Sequence, residues 1–191
     1  MRLFVALDID PEIRRGIAEF RDRMRPYASE VRWVGAETFH ITLQFLGETE
    51  KLDAIRRALR EVRGAAIPLS FRGTGFFPTQ KSPRVFWVGI DSDERMQQLA
   101  AAVGDALRPL GFQTDAGTYK PHLTLARAGS GRPRSRPGDA TAPGLRVVAA
   151  KLEGAPAEEF GSMVAREFHL YQSQLSPAGA RYTRLDTYPL S

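Results

Sequence analysis

The 191-residue chain contains no cysteine, only three histidines, and four lysines against 23 arginines. Without cysteine there is no disulfide framework, no thiol nucleophile and no Cys-ligated zinc. No apolar run reaches the ~20 residues of a membrane-spanning helix. The opening Met1–Asp8 is too short, and acidic too soon, for a signal peptide, so a cytoplasmic protein without membrane contact is expected. A Gly-x-Ser-x-Gly elbow, a Walker loop and a Gly-x-Gly-x-x-Gly fingerprint are all missing. No His-x-x-x-His pair or carboxylate cluster stands beside the histidines, and zinc or iron would be left short of good donors.

What is present is ordinary globular composition, 42% apolar and 26% charged, with a formal charge of +5 and a pI near 9.9. A basic balance favours polyanions without naming one. Arginine makes bidentate phosphate contacts that lysine does not, so the arginine excess fits RNA or nucleotide binding; a coding-sequence bias fits it as well.

The pattern along the chain is mixed α and β. Arg2–Ile9 reads as a buried strand. Asp10-Pro11-Glu12 then opens a helix whose core face is Ile13, Ile17, Phe20 and Met24. Short strands are expected over Val31–Val34 and Phe39–Leu46, and a second helix over Thr49–Arg63 with Arg56, Arg57, Arg60 and Arg63 on a solvated face. A strand over Ile67–Gly73, a loop over Phe76–Pro83, a strand over Arg84–Ile90 and a third helix over Ser92–Leu107 follow. The second half adds a strand at His122–Arg127, a Gly/Pro/Arg loop over 129–144 carrying Arg132, Arg134 and Arg136, and strands at Leu145–Glu153, Met163–Ser173 and Arg181–Leu190.

Two of the three histidines head the same tetrapeptide, His40-Ile41-Thr42-Leu43 and His122-Leu123-Thr124-Leu125. In a strand, His and Thr two residues apart share one face while the apolar pair points into the core. The two motifs lie 82 residues apart, and the same offset carries Leu3-Phe4-Val5-Ala6 onto Val85-Phe86-Trp87-Val88, Ile17 onto Leu99 and Gly47 onto Gly129. Each half is therefore strand, helix, motif strand. Two such units packed about a pseudo-twofold axis would face their His-Thr pairs across a cleft.

A lone strand histidine is most simply a buried ring satisfied by a neighbouring hydroxyl, but structural satisfaction gives no reason to duplicate both residue types. Acid/base chemistry does, because an imidazole with an ordinary pKa near 6.5 serves as acid or base near neutrality. Two histidines facing a phosphodiester could move protons in line, each worth roughly 10²–10⁴ in rate, while threonine hydroxyls hold the non-bridging oxygens.

These motifs resemble those of the 2H phosphoesterase superfamily, and more closely the RNA 2′,3′-cyclic phosphodiesterases of the LigT or ThpR type, also called 2′-5′ RNA ligases. Arg2–Asp8, Phe39–Gly47, Pro121–Arg127 and Phe168–Ser173 carry the likeness, which spans nearly the whole chain. The resemblance implies one α+β domain over residues 1–191, bilobal, with two intertwined, pseudo-symmetric lobes of antiparallel sheet, helices outside and a central cleft carrying both motifs. It implies hydrolysis of a 2′,3′-cyclic phosphate to a 2′-phosphate without metal or cofactor. Carried over by position, His40 is the proton donor, His122 the proton acceptor, Thr42, Thr124 and Arg127 hold the phosphate, and Phe4 either stacks on the base or belongs to the core. The third histidine, His169, lies outside the family's motifs and is expected in a strand, exposed and without a role.

The implied partners are RNA ends or nucleotides bearing a 2′,3′-cyclic phosphate, with no obligate protein partner, since two lobes enclosing their own site suit a monomer. Three rivals follow from the same residues. The reaction run backwards would join RNA 2′-5′ without ATP; a related enzyme would act on a small cyclic nucleotide or a linear 2′-5′ oligonucleotide; an idle module would only bind RNA through its arginines.

Overall fold

A computed structural model of the protein describes residues 1–113, 119–129, 142–176 and 179–191. Nine strands and four helices are found among them: β1 Arg2–Leu7, α1 Pro11–Met24, β2 Arg32–Trp33, β3 Ile41–Glu48, α2 Leu52–Arg60, β4 Ile67–Pro78, β5 Pro83–Ser92, α3 Glu94–Leu107, β6 His122–Arg127, α4 Pro143–Leu152, β7 Glu159–Ala165, β8 Glu167–Ser176 and β9 Gly179–Pro189. Two antiparallel sheets result, one in the order β3-β1-β8-β9 and one in the order β2-β6-β5-β4-β7. The fold is α+β, as expected.

The 82-residue repeat is visible in this topology. The offset carries β1 onto β5, α1 onto α3 and β3 onto β6, and the row β3-β1-β8-β9 corresponds to β6-β5-β4-β7, with β2 added at one edge. The helices are exchanged between sheets. Phe20 of α1 lies 6.2 Å from Phe86 of β5 and 5.4 Å from Phe160 of β7, both in the second sheet. Conversely, α3 packs against β3 of the first sheet and against α2, which also reaches β9. Each half thus completes the other's core, and buried residues from both halves form one contiguous cluster.

Burial explains why these segments take these forms. In β6, Leu123 and Leu125 are fully buried while His122 and Thr124 are partly open, the alternation of a strand with one face in the core. In β3 the alternation is broken by two irregularities in its pairing with β1, so that Leu43 and Gln44 are both buried and Phe45 faces outward. Asp10 stands in the cap position of α1, followed by Pro11 and Glu12, and Ile13, Ile17 and Phe20 are its buried face.

Several expectations are corrected. Leu145–Glu153 is not a strand but most of α4, whose buried Leu145, Val148 and Ala149 follow the 3-and-4 spacing of a helix opened by Pro143. The segment Met163–Ser173 is two strands, β7 and β8, which meet at Arg166. The loop at 76–83 shrinks to the turn of the β4–β5 hairpin, because Phe76 and Phe77 still pair with Phe86 and Val85. Arg56 is not simply solvated: its Nε donates to Asp186 Oδ2 at 2.7 Å and ties α2 to β9. Arg132, Arg134 and Arg136 lie outside the described residues. No described helix is long and apolar enough to cross a membrane.

Candidate active site

His40 sits immediately before β3, at the end of a short 3₁₀ turn over Ala36–Thr38. That turn is pinned from two sides. Thr38 Oγ1 donates to Gly35 O at 2.8 Å, and Arg14 Nη1 on α1 donates to Ala36 O at 2.6 Å and to Phe39 O at 3.3 Å. The turn delivers the Thr38 carbonyl to His40 Nδ1 at 2.7 Å. A carbonyl only accepts, so Nδ1 carries the hydrogen and Nε2 becomes the nitrogen that gains or loses a proton. Thr42 Oγ1 lies 3.0 Å from that Nε2.

His122, the first residue of β6, repeats the device. Its Nδ1 lies 2.7 Å from Lys120 O, again a carbonyl two residues earlier, and Nε2 is again left to titrate. Thr124 Oγ1 accepts from Arg127 Nη2 at 3.4 Å. The strands carrying the two motifs meet where Tyr119 Oη donates to Thr42 O at 2.7 Å. The Arg127 cation lies within electrostatic reach of both rings, holding each imidazole further below its ordinary value.

Each histidine rests on aromatic rings. Phe4 lies 4.8 Å from His40 and Tyr182 5.3 Å from it, while Phe77 and Trp87 lie 5.0 and 6.2 Å from His122. Trp87 can cross β4 only because residue 75 is glycine: a Cβ there would stand 2.2 Å from the indole. Burial is the main reason both histidines titrate below the usual 6.5, opposed at each by the bond to its backbone carbonyl. At His40 a second influence opposes it, the negative charge of Asp8.

Phe4 does not offer a stacking face. Only 2% of it is exposed, and its ring is packed by His40, by Tyr182 at 4.8 Å and by Tyr171 stacked at 5.3 Å. It is the floor under His40. The aromatic that is open is Phe45, 59% exposed and paired with Phe4 across β1 and β3.

A cleft of about 490 Å³ reaches His40 and is bordered by Asp8, Arg14, Tyr171, Tyr182 and Arg184, with Phe4 at its floor; His122 is outside it. Asp8 Oδ1 accepts from Tyr171 Oη at 2.5 Å, and its other oxygen accepts from Arg184. Burial, then the bond to Asp8, pushes the Tyr171 hydroxyl up to about 12, so it remains a donor at neutral pH.

His169, expected to be exposed, is 1% exposed. Its Nδ1 lies 3.0 Å from Thr187 Oγ1, and its Nε2 lies 3.6 Å from Asp8 and 3.7 Å from Glu167. The ring is paired across β1 with Ala6, whose other neighbour is Thr42, so His169 supports the acidic side of the cleft from beneath.

The sequence names His40, His122, Thr42, Thr124 and Arg127 as candidates; the structure adds Asp8, Arg14, Tyr171 and Arg184 around the first histidine. Asp8 and Tyr171 fall in segments that carried the family resemblance. Arg184 had no signal: it is 176 residues from Asp8 along the chain.

The fold and sequence agree with those of the chain's relatives. Residues 9–160 match the sequence model of the 2′-5′ RNA ligase superfamily. An RNA 2′,3′-cyclic phosphodiesterase of Archaeoglobus fulgidus is 37% identical over 190 residues, covering 98% of this chain and 99% of that protein. One from Methanothermobacter thermautotrophicus is 30% identical, covering 100% and 99%. The crystal structure of Escherichia coli LigT complexed with 3′-AMP superposes with a TM-score of 0.75 at 29% identity, covering 100% of this chain and 98% of that one. The chain belongs to the 2′-5′ RNA ligase superfamily.

Proposed function

We propose that the protein is an RNA 2′,3′-cyclic phosphodiesterase that opens the cyclic phosphate to a 2′-phosphate by metal-independent acid/base catalysis between His40 and His122. The observation that carries the reading is the shared hydrogen-bond device. Both rings have Nδ1 engaged by a carbonyl two residues earlier, at 2.7 Å in each case, and both keep Nε2 for proton transfer. Two imidazoles built only for packing would not need the same tautomer.

The assignment of roles follows the family resemblance and the carboxylate beside His40. Among the described residues Asp8 raises His40 against burial, while Arg127 lowers both rings and Arg14 lowers His40 as well. With Asp8 beside it, His40 serves as the acid that protonates the departing 3′ oxygen. His122 serves as the base that takes a proton from water. As water's oxygen bonds to phosphorus, the bond from phosphorus to the 3′ oxygen breaks, and His40 supplies its proton. Thr42, Thr124 and Arg127 hold the non-bridging oxygens as charge builds there. The bond between Thr124 and Arg127 places hydroxyl and guanidinium together.

The relatives' names give the substrate class, and the LigT complex holds a nucleotide. We place residues 1–191 in one domain, since the two halves exchange helices, and expect a cytoplasmic monomer acting on RNA ends or nucleotides. Joining of RNA ends is the same chemistry reversed. High water concentration drives the hydrolytic direction.

Phosphorus NMR of the product from a 2′,3′-cyclic nucleotide tests the proposal. A 2′-phosphate is expected from the wild type, with a loss of at least about 10²-fold in His40→Ala and in His122→Ala. A 3′-phosphate product, or hydrolysis surviving both substitutions, would overturn it.

A further inference from the structure

The chemistry at the cyclic phosphate uses one arginine, Arg127. The structure supplies a second directly opposite. Arg32 of β2 pairs with Arg127 of β6 in antiparallel register, so the two side chains leave the sheet on the same face, and both are exposed. Residues so paired have Cβ atoms about 4.5–5.5 Å apart, and like charges there are destabilising. Burial holds the Arg127 guanidinium below its ordinary value; Tyr182 opposes this and Arg32 adds to it.

Among the described residues neither arginine forms an ion pair with a carboxylate. Arg127 is turned toward Thr124, on the motif strand. The neighbouring Trp33 is anchored, its Nε1 donating to Ala28 O at 2.7 Å, and the Val34 amide donates to Leu125 O at 2.8 Å, so β2 is fixed against β6. Two cations thus stand side by side on a fixed strand pair, Arg127 next to the motif threonine and Arg32 one strand further out. A strand that runs outward across the sheet from the cyclic phosphate would bring its next phosphodiester to the outer one.

Resting on the function proposed above, we infer that Arg32 binds the phosphodiester joining the terminal nucleotide to the one before it. The site then selects an RNA strand of at least two nucleotides ending in a cyclic phosphate over a free cyclic mononucleotide. Arg32 is a specificity residue; it takes no part in proton transfer.

The test compares wild type and Arg32→Gln on a 2′,3′-cyclic mononucleotide and on a short oligonucleotide with the same terminus. It adds an anisotropy titration of a labelled 3′-phosphate-ended oligonucleotide over a range of salt. In Arg32→Gln the ratio of kcat/KM for oligonucleotide to that for mononucleotide should fall about tenfold, the scale of one charge-assisted phosphate contact. The salt slope of oligonucleotide binding should shrink by about 0.7, the value for one phosphate on a single strand. Arg57→Ala, which removes a charge from the exposed side of α2, should change neither quantity. Equal losses on both substrates, or an unchanged ratio and slope, would overturn the assignment. If the wild type hydrolyses neither substrate, the proposed function falls, and the titration still decides whether Arg32 holds a strand phosphate.

Discussion

Phe4→Leu separates two roles for the residue beneath the first histidine. Phe4 is 2% exposed and meets His40 and Tyr182 at 4.8 Å and Tyr171 at 5.3 Å. Leucine keeps most of the apolar burial but removes four ring pairs, the fourth with Phe45 at 6.1 Å, each worth about 0.5–1.5 kcal/mol beyond area. Partial refilling of the space brings the expected loss to about 2 kcal/mol, or roughly 4–8 °C in Tm for a chain of this size. Phe4→Ala is the less informative variant, because a cavity there costs about 3–5 kcal/mol out of a total near 5–15.

In Phe4→Leu the Nδ1 bond to Thr38 persists, yet the ring can tilt on its new floor. A displacement on the order of 1 Å at a reacting group costs up to about 10²-fold, so kcat should fall between about 10- and 10²-fold while KM stays within about twofold. Steady-state kinetics on a cyclic mononucleotide and a thermal melt are sufficient. A KM raised about tenfold with kcat unchanged would refute the reasoning and return Phe4 to the base-binding surface.

Both histidines are held below 6.5, so the bell-shaped pH profile of kcat/KM, which reports the free enzyme, should peak on the acid side of 6.5. A free-enzyme optimum above pH 7 would contradict it. Asp8→Asn removes the carboxylate that raises His40. An acid must hold its proton and its pKa sets the alkaline limb, so this limb should move to lower pH while the acid limb stays. Movement of the acid limb alone would exchange the two roles. Activity should be unchanged after dialysis against EDTA; loss restored by added divalent metal would refute a metal-independent mechanism.

Local pattern made much of this legible. Alternation from His122 to Leu125 marked β6, the 3-and-4 spacing of Ile13, Ile17 and Phe20 marked α1, and the 82-residue register foretold which strands and helices correspond. The errors have physical sources. Val147-Val148 lent α4 a strand's composition, although Leu145, Val148 and Ala149 form a helical face. His169 looked like a surface residue because the partners that justify its burial, Asp8 and Thr187, arrive from opposite ends of the chain. Exchange of α1 and α3 between the sheets is a tertiary event to which neither helix's own periodicity refers.

The two halves are most alike where the backbone does the work and least alike where the ligand would lie. Carbonyls at Thr38 and Lys120 hold their histidines at the same 2.7 Å, and a threonine follows each ring by two residues. Three residues past the threonines the copies part: the first carries Phe45, an exposed ring, and the second Arg127, a cation joined to Thr124. A carboxylate, Asp8, and Arg14 are added on the His40 side, and Arg32 beside Arg127 on the His122 side. A symmetric site would treat the two oxygens of a cyclic phosphate alike, but hydrolysis to one product requires that a single oxygen receive the proton and that water enter opposite it. Duplication can supply two equally prepared imidazoles; the direction of proton flow has to come from the positions where the copies diverge.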